Sequence, residues 1–194
     1  VIDSVVPLMA DVAEGSLFAS DDLDFQSNNT SLDLAWSGSD DNSGINNYEY
    51  SLGISKGGTE TIAWTSTSST SISLSDLTLT EATIYYVSVR ATDKAGNVST
   101  VMSGDGITID LSSPISGTVN DGLGADIAYT SALNSLSANW SGFSDPISGL
   151  SDYQYAIGTT INGTEVKGWA SNGLDTSFTY NGYCLLYTSP STRD

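Results

Sequence analysis

Leu79-Thr80-Glu81-Ala82-Thr83-Ile84-Tyr85-Tyr86-Val87-Ser88-Val89-Arg90-Ala91-Thr92 carries the clearest structural signal in the chain. From Tyr85 onward, Tyr85, Val87, Val89 and Ala91 share one side, while Tyr86, Ser88, Arg90 and Thr92 share the other. A strand sends successive side chains to opposite faces, so this alternation predicts a strand with one face in a core. Shorter runs with the same period are Leu32, Leu34 and Trp36; Tyr48, Tyr50 and Leu52; Ile62 with Trp64; and Ile72 with Leu74. Turn-forming clusters separate them at 38–44, 56–58, 66–70 and 93–97. Gly supplies positive φ there, and Asn, Asp and Ser bond to nearby backbone, so these clusters reverse the chain. Short strands joined by polar turns predict an all-β sandwich.

The pattern returns downstream. Trp36-Ser37-Gly38 recurs 104 residues later as Trp140-Ser141-Gly142. At a spacing of 105, Ser43-Gly44-Ile45 with Tyr48 and Tyr50 recurs as Ser148-Gly149-Leu150 with Tyr153 and Tyr155. Gly58-Thr59-Glu60 and Trp64 recur at that spacing as Gly163-Thr164-Glu165 and Trp169. Near the start, Ile2-Asp3 and Pro7 parallel Ile109-Asp110 and Pro114, 107 apart. A period of that size is one sandwich per repeat, far longer than a solenoid turn. The expected organisation has the end of a preceding repeat and a linker at 1–6, then a complete seven-strand module at 7–113. A second module at 114–183 is truncated, lacking its last two strands. Residues 184–194, Cys184 to Asp194, are similar to a translated sequencing adapter except at Thr192, and are read as an artefact that contains the only cysteine.

Trp36, Tyr48 and the quoted stretch together resemble the fibronectin type III family. That family has a tryptophan on strand B, a tyrosine on strand C, and L-x-P-x-T-x-Y-x-V-x-V-x-A leading into strand F. Glu81 stands where proline is usual. The resemblance implies tandem immunoglobulin-like sandwiches, with Tyr85 as a corner tyrosine whose hydroxyl binds backbone at the E–F turn. With Arg90-Ala91-Thr92-Asp93-Lys94-Ala95-Gly96-Asn97-Val98-Ser99, the unit also resembles the Ig-like repeats of large bacterial surface proteins.

The chain has 23 acidic and 5 basic side chains, a net −18; setting aside Arg193 and Asp194 leaves that net unchanged. Such a surface repels nucleic acid and anionic membranes, whose binding needs clustered Lys and Arg. No apolar run approaches the roughly 20 residues of a membrane-spanning helix. With no histidine, the commonest general base is absent, and with it the zinc sites built on imidazole.

Nearly all the acids fall in short turn segments between the predicted strands. In a fibronectin-like sandwich the B–C and F–G loops share a pole with the incoming linker. That places Asp3 near Asp40, Asp41 and Asp93, and linker Asp110 near Asp145, with Glu81 or Asp76 below. These aspartates are the candidate calcium ligands, since calcium takes six to eight oxygens. The competing assignment is that Asp40 and Asp93 merely close turns through side-chain-to-backbone bonds. Trp36 and Trp140 are assigned to cores, and Trp64 and Trp169 to a core or sheet edge, with sugar stacking as their other role. The functional expectation is a non-catalytic structural or adhesive module of an exported bacterial multi-repeat protein, at the cell surface or outside the cell. Its partners would be neighbouring repeats and a protein or glycan ligand; calcium is the one cofactor considered. The alternative is an accessory module of a secreted polysaccharide-degrading enzyme, with carbohydrate binding as the role open to it.

Overall fold

The computed structural model describes residues 2–18, 20–132 and 134–182. The expectations for Cys184 to Asp194 lie outside them. The chain divides into two compact units, Val1–Ser112 and Ser113–Asp194. No helix occurs among the described residues.

The first unit builds two sheets from alternating strands. β1 (Leu8–Glu14), β3 (Leu32–Ser39) and β6 (Ser71–Leu74) form one sheet in the order β1-β3-β6. The other comprises β2 (Phe25–Gln26), β4 (Ile45–Gly53), β5 (Ile62–Thr67), β7 (Ile84–Asp93) and β9 (Ile107–Ile109), in the order β2-β9-β7-β4-β5. The short β8 (Met102–Ser103) also pairs with β7. Counting β8 and β9 as one interrupted strand, the sheets are A-B-E and C′-C-F-G, with β2 as an added edge. This is the seven-strand immunoglobulin-like sandwich.

β7 anchors the fold because it is paired on both sides. It faces β4 from Ile45↔Asp93 to Gly53↔Tyr86, and β8 and β9 on its other edge. Its inward set, Tyr85, Val87, Val89 and Ala91, is buried with Leu34, Trp36, Tyr48, Leu52, Leu79 and Ile107 in one core. The Trp36 ring lies 5.7 Å from Tyr50 and 6.1 Å from Tyr48, within the range of favourable aromatic contact. Ser88 points outward yet is fully buried: the Gly57 N–H donates to its Oγ at 2.8 Å, and Ser103 Oγ lies 2.7 Å away.

The corner tyrosine is in place. Tyr85 is buried, and its hydroxyl oxygen accepts the Thr80 N–H at 3.0 Å. Without proline at 81, the turn is held by this bond and by Ala82, at φ 56°, donating its N–H to Ile109 O at 2.8 Å. Tyr85→Phe is expected to cost about 0.5–1.5 kcal/mol, seen as a lower urea midpoint. An unchanged midpoint would mean that the hydroxyl contributes nothing to stability.

The second unit repeats only part of this plan among its described residues. β10 (Thr118–Asp121), β11 (Ser135–Ser141) and β14 (Ser177–Asn181) form a sheet ordered β10-β11-β14, matching A-B-E. β12 (Gln154–Ile157) and β13 (Lys167–Ser171) form a separate hairpin matching C and C′. Trp140 is buried against Tyr153 at 5.5 Å and Phe178 at 6.0 Å, the arrangement that Trp36 has with its own tyrosine. A cavity of about 1130 Å³ is lined by residues of both the sheet and the hairpin, Trp140, Tyr155 and Trp169 among them.

Candidate functional site

Asp3, Asp40 and Asp93 converge. Each offers a carboxylate oxygen, and the three oxygens lie within 4.8 Å of one another. The chain brings them together because the turn after β3 and the turn after β7 lie beside the entering segment. Residues 2–7 form no strand, and Asp3 docks on those turns instead. Its Oδ2 accepts the Ser43 N–H at 3.1 Å, and its backbone oxygen accepts from Asn97 Nδ2 at 3.3 Å.

Most of these oxygens already close turns. Asp40 Oδ2 accepts the N–H groups of Ser43 at 2.9 Å and Gly44 at 2.6 Å. Asp93 Oδ1 accepts those of Ala95 and Asn97, both at 2.8 Å, and its Oδ2 accepts from Asn97 Nδ2 at 2.8 Å. Bonds from Ser43, Val5 and Asn42 hold the Asp3 carboxyl below its ordinary range. Burial works against the Asp93 carboxylate, but the Asn97, Ala95 and Gly96 donors outweigh it and keep its pKa low. Asp40 Oδ1 is the one buried oxygen of the group without a hydrogen-bond partner.

The other candidate aspartates lie elsewhere. Asp41 is exposed and outside the group. Asp110 is buried, with its Oδ1 accepting the Ser112 N–H at 3.1 Å and hydroxyl at 2.8 Å. Asp145 belongs to the second unit, where its Oδ1 accepts the N–H groups of Ile147 and Ser148. It stands 105 residues after Asp40 and closes the equivalent turn.

The repeated Gly-Thr-Glu motif is also accounted for locally. Glu60 Oε2 accepts the Ile54 N–H at 3.3 Å, and Glu165 Oε2 accepts the Thr159 N–H at 3.1 Å. Both glutamates close the loop between their C and C′ strands. Gly53 and Gly158 must lack a Cβ, which would overlap the backbone of Gly58 and Gly163 respectively.

Trp64 and Trp169 part company. Trp64 is half-buried, with the Arg90 guanidinium 4.7 Å from its ring centre. Arg90 Nε in turn donates to Glu49 Oε2 at 2.8 Å, directly opposite it across β4 and β7. Trp169 is 66% exposed.

A buried acid that carries no mark in the sequence is Glu14, at the end of β1. It is fully buried, and its Oε1 accepts the Val87 N–H at 2.9 Å. β8 and β9 are interrupted opposite Val87, so a side chain takes the place of a ladder partner there. Burial pushes the Glu14 carboxyl up to about 7, helped by repulsion from Asp22 and Asp105 and opposed by the Val87 and Gly106 N–H groups.

No family model matches the chain. Over 154 residues, 78% of the chain, it is 30% identical to exoglucanase B of Cellulomonas fimi; the match takes in 13% of that much longer protein. Among solved structures, the FN1–FN3 domains of chicken CNTN1 align over 92% of this chain and 57% of theirs. The TM-score is 0.42 and the identity 14%. No described helix is long and apolar enough to cross a membrane. Strand order, a buried tryptophan on strand B and a bonded corner tyrosine make the first unit a seven-strand immunoglobulin-like β-sandwich.

Proposed function

We propose that the chain is a non-catalytic spacer or adhesive module of an exported bacterial multi-repeat protein, working at the cell surface or outside the cell. The observation that carries this reading is the use made of the repeated side chains. Asp40 and Asp145 close turns, Glu60 and Glu165 close hairpin loops, and Trp36 and Trp140 fill cores. Asn47 bonds Ser66 Oγ across its hairpin, and Asp152 accepts from Ser171 Oγ at the equivalent place. What the repeat keeps is scaffold. A net −18 surface adds solubility and keeps such modules from associating.

A second reading is favoured by one comparison and one side chain. The similarity to part of an exoglucanase fits an accessory module of a polysaccharide-degrading enzyme, and the exposed Trp169 ring offers a face on which a sugar could stack. Trp64 fits that role less well, because Arg90 covers one face of its ring. Affinity electrophoresis of the whole chain through gels containing soluble cellulose derivatives separates the two. The spacer reading expects unretarded migration and no release of reducing sugar. Retardation that disappears in Trp169→Ala would support the accessory reading and overturn the first.

A further inference from the structure

We propose that Glu14, Asp22 and Asp105 form a calcium site in the first unit, where β1 ends beside the gap between β8 and β9. Each of the three offers a carboxylate oxygen, and these oxygens lie within 4.8 Å of one another. Glu14 is the decisive member. Its side chain is wholly buried and Oε1 is committed to Val87, but Oε2 has no hydrogen-bond partner. A buried carboxylate oxygen without a partner bears its full desolvation penalty unless a cation or proton meets it. No basic side chain does so: the ion pair among the described residues joins Arg90 to Glu49, on another part of the sheet.

The surroundings favour a metal ion over a closed core. Asp22 is tied into place by accepting the Glu14 N–H on Oδ1 at 2.7 Å, and its carboxyl is within bonding reach of Asp105. Asp105 sits between two glycines. A Cβ at Gly104 would overlap the Glu14 carboxylate, and Gly106 has φ 106°, so this backbone is suited to letting three acids approach. Asp22 and Asp105 are exposed, which gives an ion an entry path and room for bound water. An all-oxygen, carboxylate-rich set with one open side suits calcium, which accepts irregular geometry with six to eight ligands. Magnesium demands near-octahedral order and sheds water reluctantly, and zinc prefers nitrogen and sulfur.

Part of the arrangement is repeated. Asp121 stands 107 residues after Glu14, the spacing of the two prolines, and ends β10 as Glu14 ends β1. Its N–H donates to Asp126 Oδ1 at 3.0 Å, as the Glu14 N–H does to Asp22.

The test is thermal unfolding and titration calorimetry of the whole chain, stripped with a chelator and then given calcium chloride. At about 10 mM calcium, a site with a dissociation constant of about 10⁻⁴–10⁻³ M raises the unfolding midpoint of the first unit by roughly 5–15 °C. Asp105→Asn, at an exposed position, should fold normally and lose that shift. Asp40→Asn should keep it. No shift in the parent overturns the site. So does a shift that survives Asp105→Asn but vanishes in Asp40→Asn, which would give the ion to Asp3, Asp40 and Asp93. An equal shift with magnesium overturns the assignment to calcium. None of these outcomes depends on whether the chain serves as a spacer or as an enzyme accessory.

Discussion

Residues 114–194, produced without the first unit, are expected to give no cooperative unfolding transition and to elute as aggregates. Among the described residues, eighteen apolar side chains are buried, and only Ala138 and Trp140 of these belong to the second unit. In the first unit β4 is flanked by β5 and β7; among the described residues its counterpart β12 pairs with β13 alone. A lone hairpin is marginal in water, and a core this thin leaves little to offset the entropy of ordering some 70 residues. The consequence is an open cavity of about 1130 Å³ bordered by Trp140, Phe143, Tyr153, Tyr155 and Phe178. Among the described residues, no strand lies on the edge of β12 that matches the β7 side of β4, and such an edge invites association. Appending residues 84–110 of the first unit after residue 183 supplies the two strands in question and should restore a cooperative transition. A sharp, concentration-independent transition in the unextended piece would contradict the argument.

The sequence was most legible where local pattern and final environment agree. The alternation in Tyr85 to Thr92 survives folding because β7 has one face on the core and both edges paired. The meeting of Asp3, Asp40 and Asp93 could also be anticipated, since two turns and the entering segment share one end of a sandwich. Asp41, one residue further on, stays exposed outside that group, a distinction only the turn geometry makes. Glu14 was not legible at all. In Leu8–Glu14 it looks like the polar end of a strand, and its burial depends on a missing ladder partner at Val87, 73 residues away. Trp64 is a milder case. Its cover by Arg90 depends on a cross-strand pair with Glu49 that no local run announces.

The buried Glu14 makes the stability of the metal-free first unit fall as pH rises from 5 to 8. Its carboxyl has an ordinary value of 4.5 and is pushed up to about 7 in the folded chain, first by burial and then by Asp22 and Asp105. Between those values the folded state holds a proton that the unfolded state has released, so raising the pH favours unfolding. The contribution is fully present below pH 4.5 and is lost through about pH 7. Its size is about 2–3 kcal/mol, from 1.36 kcal/mol per unit with allowance for residual solvation. Asp22 acts in the same sense, since burial and its neighbour Asp105 raise it too. Asp3 and Asp93 act in the opposite sense. Their values are lowered, so the stability they add is present above the unfolded carboxylate range and lost as pH falls through it. The two trends place the maximum near pH 5. Urea midpoints in chelator at pH 5, 6, 7 and 8 should decline steadily in the parent. In Glu14→Gln they should stay nearly level and exceed the parent's at pH 8, because the amide carries no charge to bury. Parallel declines in the two proteins would remove Glu14 as the cause and leave the slope to exposed carboxylates.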